Sequence, residues 1–235
     1  MIENLLTSPY LWISLTVGFY VLAAQLQVKW PTPLFNPLLF SIVMVILLLL
    51  ITDIPYETYE AGGSYVAVFV TPATVSLAIK LHKNFIYLKN NYKAILTGIF
   101  SGVILHTIMI FAFGLLFNFD VEMASTLFPK VITTAIAVGV SGSMGGIVSL
   151  TVAVVVFTGI IGSVIAPTIF RLGKIKDPVA QGVALGSSSH AMGTAKAIEM
   201  GDGQGAMSGL SIVVTGIVVV ILAPFAAPLI QLIFG

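Results

Sequence analysis

Two short stretches of this chain gather side chains able to do chemistry. The first, SGSMGG, holds Ser141, Ser143, Gly145 and Gly146; the second, GSSSHAMGTAKAIE, holds Ser187, Ser188, Ser189, His190, Gly193, Thr194, Lys196 and Glu199. Hydroxyls and free backbone amides are hydrogen-bond donors suited to a carboxylate, and a histidine can hold a substrate or carry a proton. Nucleophilic catalysis fits poorly. Neither GVSGS nor GSSSH satisfies G-x-S-x-G, and Ser189 and His190 are adjacent, so on a helix they point apart. No carboxylate nearby would orient the imidazole. No H-E-x-x-H occurs, and with no cysteine in the chain, thiolate metal sites, disulfides and thiol nucleophiles are excluded. The chain is therefore expected not to be an enzyme and to need neither metal nor cofactor.

Both stretches interrupt hydrocarbon-like sequence. Of 235 residues, 58% are hydrophobic and 8% charged, against roughly 25% charged in a soluble domain. Apolar runs of about 20 residues recur, each long enough to cross a core of about 30 Å as a helix. The chain reads as an all-α polytopic membrane protein. A net charge of +1 and the lack of a basic patch give no reason to expect nucleic acid.

Four conventional spans are expected first, at 9–27, 34–51, 64–79 and 94–117, the first of them a retained helix. Lys29, Lys80, Lys83, Lys89 and Lys93 mark cytoplasmic loops, whereas Asp53, Glu57, Glu60, Asp120 and Glu122 fall outside by alternation. His82 belongs to a basic loop, and His106, within the fourth span, reads as a core hydrogen-bonding group. Two apolar segments, 127–140 and 147–170, then precede the basic group Arg171, Lys174 and Lys176. Two full crossings would leave that group outside, so the shorter, glycine-ended segment is expected to be re-entrant, with Pro129 and Lys130 shaping its start. The grammar repeats: a glycine-rich segment at 179–200 precedes a long span at 206–234. The prediction is six full spans plus two broken helices in one domain, both termini outside, partitioned as 1–117, 118–170 and 177–235. TGIIGSVIAP matches TGIVVVILAP, and SGSMG partly matches SHAMG, so the C-terminal half is read as an inverted repeat.

Backbone that leaves a helix inside a membrane must be satisfied by protein, water or ligand, so broken segments usually line cavities. The restarting half-helix presents amides and partial positive charge to an anion. Ser141, Ser143, Gly145, Ser187, Ser189, His190 and Thr194 are accordingly the expected substrate-binding residues. Pro129, Lys130, Gly146, Gly193, Lys196 and Glu199 are expected to support or gate them. Lys196 and Glu199, spaced i, i+3, also read as a mutually satisfied pair, and Gly98-x-x-x-Gly102 and Gly205-x-x-x-Gly209 as helix-packing motifs.

The motifs TPATVSLAIKL, FPKVITTAIAVGVSGSMGGIVSLT, TGIIGSVIAP and GVALGSSSHAMGTAKAIEMGDGQGAMSGL resemble those of the LrgB/CidB family over nearly the whole chain. The likeness extends to the C-terminal half of the plastid glycolate/glycerate transporter. Lys130, Ser189, His190, Thr194, Lys196 and Glu199 match the family pattern, whereas Gly142 and Ala135 stand where it commonly has an acid and a proline. The resemblance implies a bacterial plasma-membrane protein with one of two roles. One is transport of a small 2-hydroxy or 2-oxo monocarboxylate such as glycolate, glycerate or pyruvate, with a coupled proton or cation. The other is antiholin-like control of murein hydrolase export beside a small LrgA/CidA-like partner. A homo-oligomer, such a partner, or both are expected.

The topology makes a direct prediction. In this cysteine-free chain, Lys174→Cys should react with an impermeant thiol reagent only from the cytoplasmic side, and labelling from outside alone would refute the crossing pattern.

Overall fold

The computed structural model describes residues 8–30, 32, 35–69, 72, 75, 76, 79, 82 and 85–235. Regular structure among them is entirely helical. The helices are α1 (Pro9–Lys29), α2 (Pro37–Thr52), α3 (Tyr56–Ala67), α4 (Phe85–Phe117), α5 (Val121–Leu127), α6 (Thr134–Ser143), α7 (Val148–Leu172), α8 (Pro178–Met200) and α9 (Asp202–Phe234). Four of them contain stretches long and apolar enough to cross a membrane: Pro9–Lys29, Asn91–Phe117, Val148–Leu172 and Asp202–Phe234. Shorter apolar helices occur at Leu39–Thr52 and Thr134–Ser143.

The chain forms two compact units, Met1–Ala78 and Ile79–Gly235. In the first, α1 packs on α2 and α3. Trp12 is fully buried edge-on to Tyr59, ring centroids 5.9 Å apart, and Thr16 Oγ1 lies 3.3 Å from the Tyr59 hydroxyl. Gly62 completes the contact: a Cβ there would stand 2.6 Å from that of Trp12. Glu57 and Glu60, expected in a loop, lie on α3, which begins at Tyr56 after Pro55. Of the expected third span, 64–67 belong to α3 and 70, 71, 73, 74, 77 and 78 lie outside the described residues, as does most of the TPATVSLAIKL motif.

The second unit is built around α9, whose inner face holds Met207, Leu210, Val218, Val219, Ala223 and Ile230. Ile95, Ile99 and Val103 of α4, Phe128, and Val155 of α7 complete that core. The fourth apolar helix, grouped with the first three by sequence, belongs to this unit. Lys89 and Lys93 lie on it rather than in a loop, and it kinks at Asn91. Outward faces remain apolar: Ile217, Ile221 and Phe225 on α9 are exposed. That is the surface a hydrocarbon solvent selects.

Chain ends of the inner helices follow from local chemistry. Asp120 caps α5 by accepting from the Met123 amide at 2.8 Å, and Asp177 caps α8 by accepting from Ala180 at 2.9 Å. Pro178 follows Asp177 at the first helical position, where a missing N–H costs nothing. The α6–α7 connection turns through Gly145 at φ 78°, a left-handed conformation that glycine adopts without steric penalty.

α8 and α9 approach so closely that glycine is required between them: a Cβ on Gly186 would collide with the Ser208 carbonyl. Gly209, in contrast, has nothing within 4 Å of a notional Cβ. Gly186→Ala should therefore cost about 1–3 kcal/mol by overpacking, read as a lower melting temperature in detergent. Gly209→Ala should leave that temperature unchanged or slightly raised, and equal behaviour of the two variants would contradict the packing.

Candidate functional site

Besides the kink at Asn91, the second unit contains two interruptions of helical structure near the expected site residues. In α8 the backbone at His190 leaves the helix with φ 42° and ψ −128°, dividing it into 178–189 and 191–200. This is a conformation an L-residue with a Cβ strongly avoids, at a cost of about 1–3 kcal/mol, so surrounding contacts must hold it. The broken helix expected at 179–200 is thus present, with the histidine at the break. The segment expected at 127–140 divides differently: α5 ends at Leu127, a turn carries Phe128, Pro129 and Lys130, and α6 begins at Thr134.

One face of α7 holds both places. Thr151, Val155, Gly159 and Ser163 recur every four residues along its buried stripe. The Val155 carbonyl accepts from His190 Nε2 at 3.0 Å. A carbonyl can only accept, so Nε2 carries a proton. A Cβ on Gly159 would stand 2.5 Å from His190 Cε1, and one on Gly162 would strike Ser189 Oγ. One turn before Val155, Thr151 Oγ1 donates to Ser141 Oγ at 2.6 Å. Four residues of helix rise about 6 Å, so Ser141 and His190 are anchored within a turn of each other on one strut.

The surroundings of the break are polar and dry. His190 is 2% exposed, and Ser189 and Thr194 are buried. Thr194 Oγ1 pairs with Ser208 Oγ at 2.7 Å, and Ser211 donates to the Met207 carbonyl at 2.8 Å. Thr215, on the same side of α9, is buried with its hydroxyl lacking a partner among the described residues.

Beside the break lies a cavity of about 1120 Å³ between α4, α7 and the first half of α8. Ser187, Ser188 and Ser189 line it, with Lys130 as its one charged lining residue among the described residues. Ser187 donates to the Val183 carbonyl and Ser188 to that of Ala184, each at 2.7 Å. To donate to a ligand they would release those bonds. The remaining lining is mostly aliphatic or aromatic, including Leu150, Val154, Phe157 and Ile161.

The expected site residues therefore separate. Ser187, Ser189 and Lys130 share the cavity, with His190 next to Ser189 in the chain. Thr194 faces Ser208, and Ser141 belongs to the buried α6–α7 cluster. Ser143 is exposed, bonds its own helix at Val140, and lines a smaller cavity with Pro224. Gly145 makes the turn, and Gly146 packs on Ser141. Gly193 lies against Leu185 and Ser189, across the break. Pro129 is buried in the turn before α6. Lys196 and Glu199 form the expected pair, 2.9 Å apart on an exposed face. His106 plays its expected packing role, Nε2 donating to the Phe128 carbonyl at 2.9 Å. Gly205 packs on Ile198, but Gly102 faces the cavity instead of a helix. Sequence reasoning missed Thr126, Thr151 and Ser208, single hydroxyls that no motif distinguishes from packing residues.

Broken and spanning helices around a buried polar band define a multi-pass membrane protein. The sequence matches the LrgB-like family over residues 16–229, and the chain belongs to that family. It is similar to the "Holin-like protein CidB" of Staphylococcus aureus (strain Mu50 / ATCC 700699), 36% identical over 91% of this chain and 93% of the relative. A protein of the same name from Staphylococcus epidermidis (strain ATCC 12228 / FDA PCI 1200) is 33% identical over the same shares. No solved structure matches. The apolar spans and these relatives make it a multi-pass bacterial membrane protein.

Thr194 and Ser208 satisfy one another in a buried setting, so removing one should expose the cost of the other. Thr194→Val should destabilise by about 1–3 kcal/mol, and adding Ser208→Ala should recover part of the loss. Strict additivity in thermal unfolding would contradict the pairing.

Proposed function

We propose that the chain carries a small 2-hydroxy or 2-oxo monocarboxylate, such as glycolate, glycerate or pyruvate, across the membrane by alternating access. The observation that carries this reading is the helix break at His190, set among buried hydroxyls beside a cavity lined by Ser187, Ser188, Ser189 and Lys130. In a bilayer an interrupted helix is tolerated where it is buried in protein or lines a water-filled space. Lys130 supplies the charge that a carboxylate requires, and the serines supply hydroxyls for its second oxygen and for the 2-substituent. A three-carbon acid would fill only the serine end of so large a cavity, with water in the rest. His190 would sense the acid through the strained backbone it occupies. On this reading the two interruptions are the broken elements of an inverted repeat, with six full crossings and Ser141, Ser143 and Gly145 on the pathway's other side.

The second reading follows from the relatives, both named holin-like. There the chain acts beside a small membrane partner of LrgA/CidA type in controlling murein hydrolase release. A simple lytic pore has little use for a strained break held by matched glycines on α7, which is why carriage is preferred.

Uptake of radiolabelled glycolate, glycerate and pyruvate into liposomes holding the purified chain separates the two. Saturable, competable uptake is expected. His190→Ala should reduce it at least about tenfold, and Lys130→Gln should raise the half-saturating concentration about tenfold or more, the worth of one charge-assisted hydrogen bond. No uptake by the chain alone, with passage of larger solutes or a strict need for a small partner, would favour the holin-like complex.

A further inference from the structure

Three cations gather at the C-terminal end of α7 with no acid set against them. Arg171, Lys174 and Lys176 line a cavity of about 430 Å³ together with Phe170 and Gln181. All three are exposed, and among the described residues none has an ion-pair partner. The nearby acids are committed elsewhere. Asp177 accepts from the Ala180 amide at 2.9 Å and lines a separate cavity against α4, and Glu199 is paired with Lys196.

The loop that carries these cations is held from two sides. α7 ends in a Schellman motif: the Ile175 amide donates to the Phe170 carbonyl at 2.8 Å and the Lys174 amide to that of Arg171 at 3.3 Å. That motif puts Lys174 in the left-handed region, at φ 53°, where glycine is the usual occupant and a residue with a Cβ is disfavoured. From the other side Gln181 Nε2 donates to the Ile175 carbonyl at 2.7 Å, and Gln181 Oε1 accepts from Gln204 of α9 at 3.1 Å. A lysine thus stands at the one position of the turn that glycine would fill most easily, in a loop pinned to α8.

The cavity also sits at the end of a membrane-length helix. The apolar stretch Val148–Leu172 finishes beside it, and Leu172, 77% exposed, keeps apolar surface next to the charges. Fixed cations bordered by hydrocarbon suit an anion that is itself attached to hydrocarbon. We propose that this cavity binds the phosphate of an anionic phospholipid headgroup. The Arg171 guanidinium matches both non-bridging oxygens of a phosphodiester through its planar fork, and Lys174 and Lys176 add point charges around it. Basic pockets at the ends of spanning helices are a general means of holding such headgroups. Because Gln181 ties the loop to α8, a bound headgroup braces α7 against α8, and the gain is read as thermal stability.

The test is thermal unfolding of the purified full chain in a non-ionic detergent, titrated with phosphatidylglycerol, phosphatidylcholine or sodium phosphate at constant ionic strength. We expect a saturable rise in melting temperature with phosphatidylglycerol, absent with phosphatidylcholine and with sodium phosphate. Arg171→Gln and Lys176→Gln should each need at least about threefold more phosphatidylglycerol for half the effect, the worth of one basic residue at an anionic surface. Lys93→Gln removes a cation of α4 that does not line the cavity and should leave the titration unchanged. Lys174→Gly separates charge from folding. Glycine relieves the left-handed strain, so the melting temperature without lipid should rise by about 2 °C while the response to phosphatidylglycerol weakens. Lys174→Arg should keep that response. Equal responses to phosphatidylglycerol and phosphatidylcholine would overturn the site, as would a loss in Lys93→Gln as large as in Arg171→Gln, which would leave only a diffuse attraction between surfaces. A full response to sodium phosphate would also overturn it, because the cavity would then bind a soluble anion and not a lipid.

Discussion

A helix can be interrupted in a hydrocarbon solvent only if protein takes over what the missing backbone hydrogen bonds and the displaced side chain require. Here one face of α7 does so. The Val155 carbonyl receives the His190 ring, Gly159 and Gly162 leave room for His190 and Ser189, and Thr151 secures the end of α6. Remove that face and the backbone at His190, at φ 42°, would lose the bond that offsets its strain.

The other elements serve this arrangement. α9 supplies the apolar wall and, through Ser208, the partner for Thr194 just beyond the break. Gly182 and Gly186 bring the first half of α8 against the α9 backbone, so the interrupted helix is gripped from two sides. The serine face beside the break is left open to the cavity that Lys130 also lines. Side chains held on α7 and α9 thus stand next to Ser187 and Ser188, whose hydroxyls, among the described residues, bond only within their own turn of α8 and to Ser189.

Much of this was legible in the sequence, and the reasons are physical. Glycine and hydroxyl density between apolar runs announced interrupted helices, because such composition is too polar for a simple span and too rich in small residues for packing alone. The lysine–glutamate pair and the packing role of His106 followed from spacing and setting. What sequence could not supply was the strut: Thr151 looks like any threonine in an apolar run until Ser141 is seen against it. Nor could it separate the expected residues into a cavity row, a buried hydroxyl pair and a turn, since those sets are sorted by which helix faces which. Gly102 shows the converse, a G-x-x-x-G position that lines a cavity instead of a helix contact.

The central claim is that the face bearing Ser187, Ser188 and Ser189 looks into water rather than lipid. Single cysteines at these positions, on the cysteine-free background, can be challenged in membranes with a charged, impermeant thiol reagent and with a lipid-soluble one. The account requires reaction of Ser188→Cys with the charged reagent, slowed by millimolar glycerate or glycolate, while Val183→Cys, buried on the same half-helix, stays unreactive. Modification of Ser188→Cys by the lipid-soluble reagent alone, indifferent to any carboxylate, would make the cavity a lipid-facing groove and contradict the account.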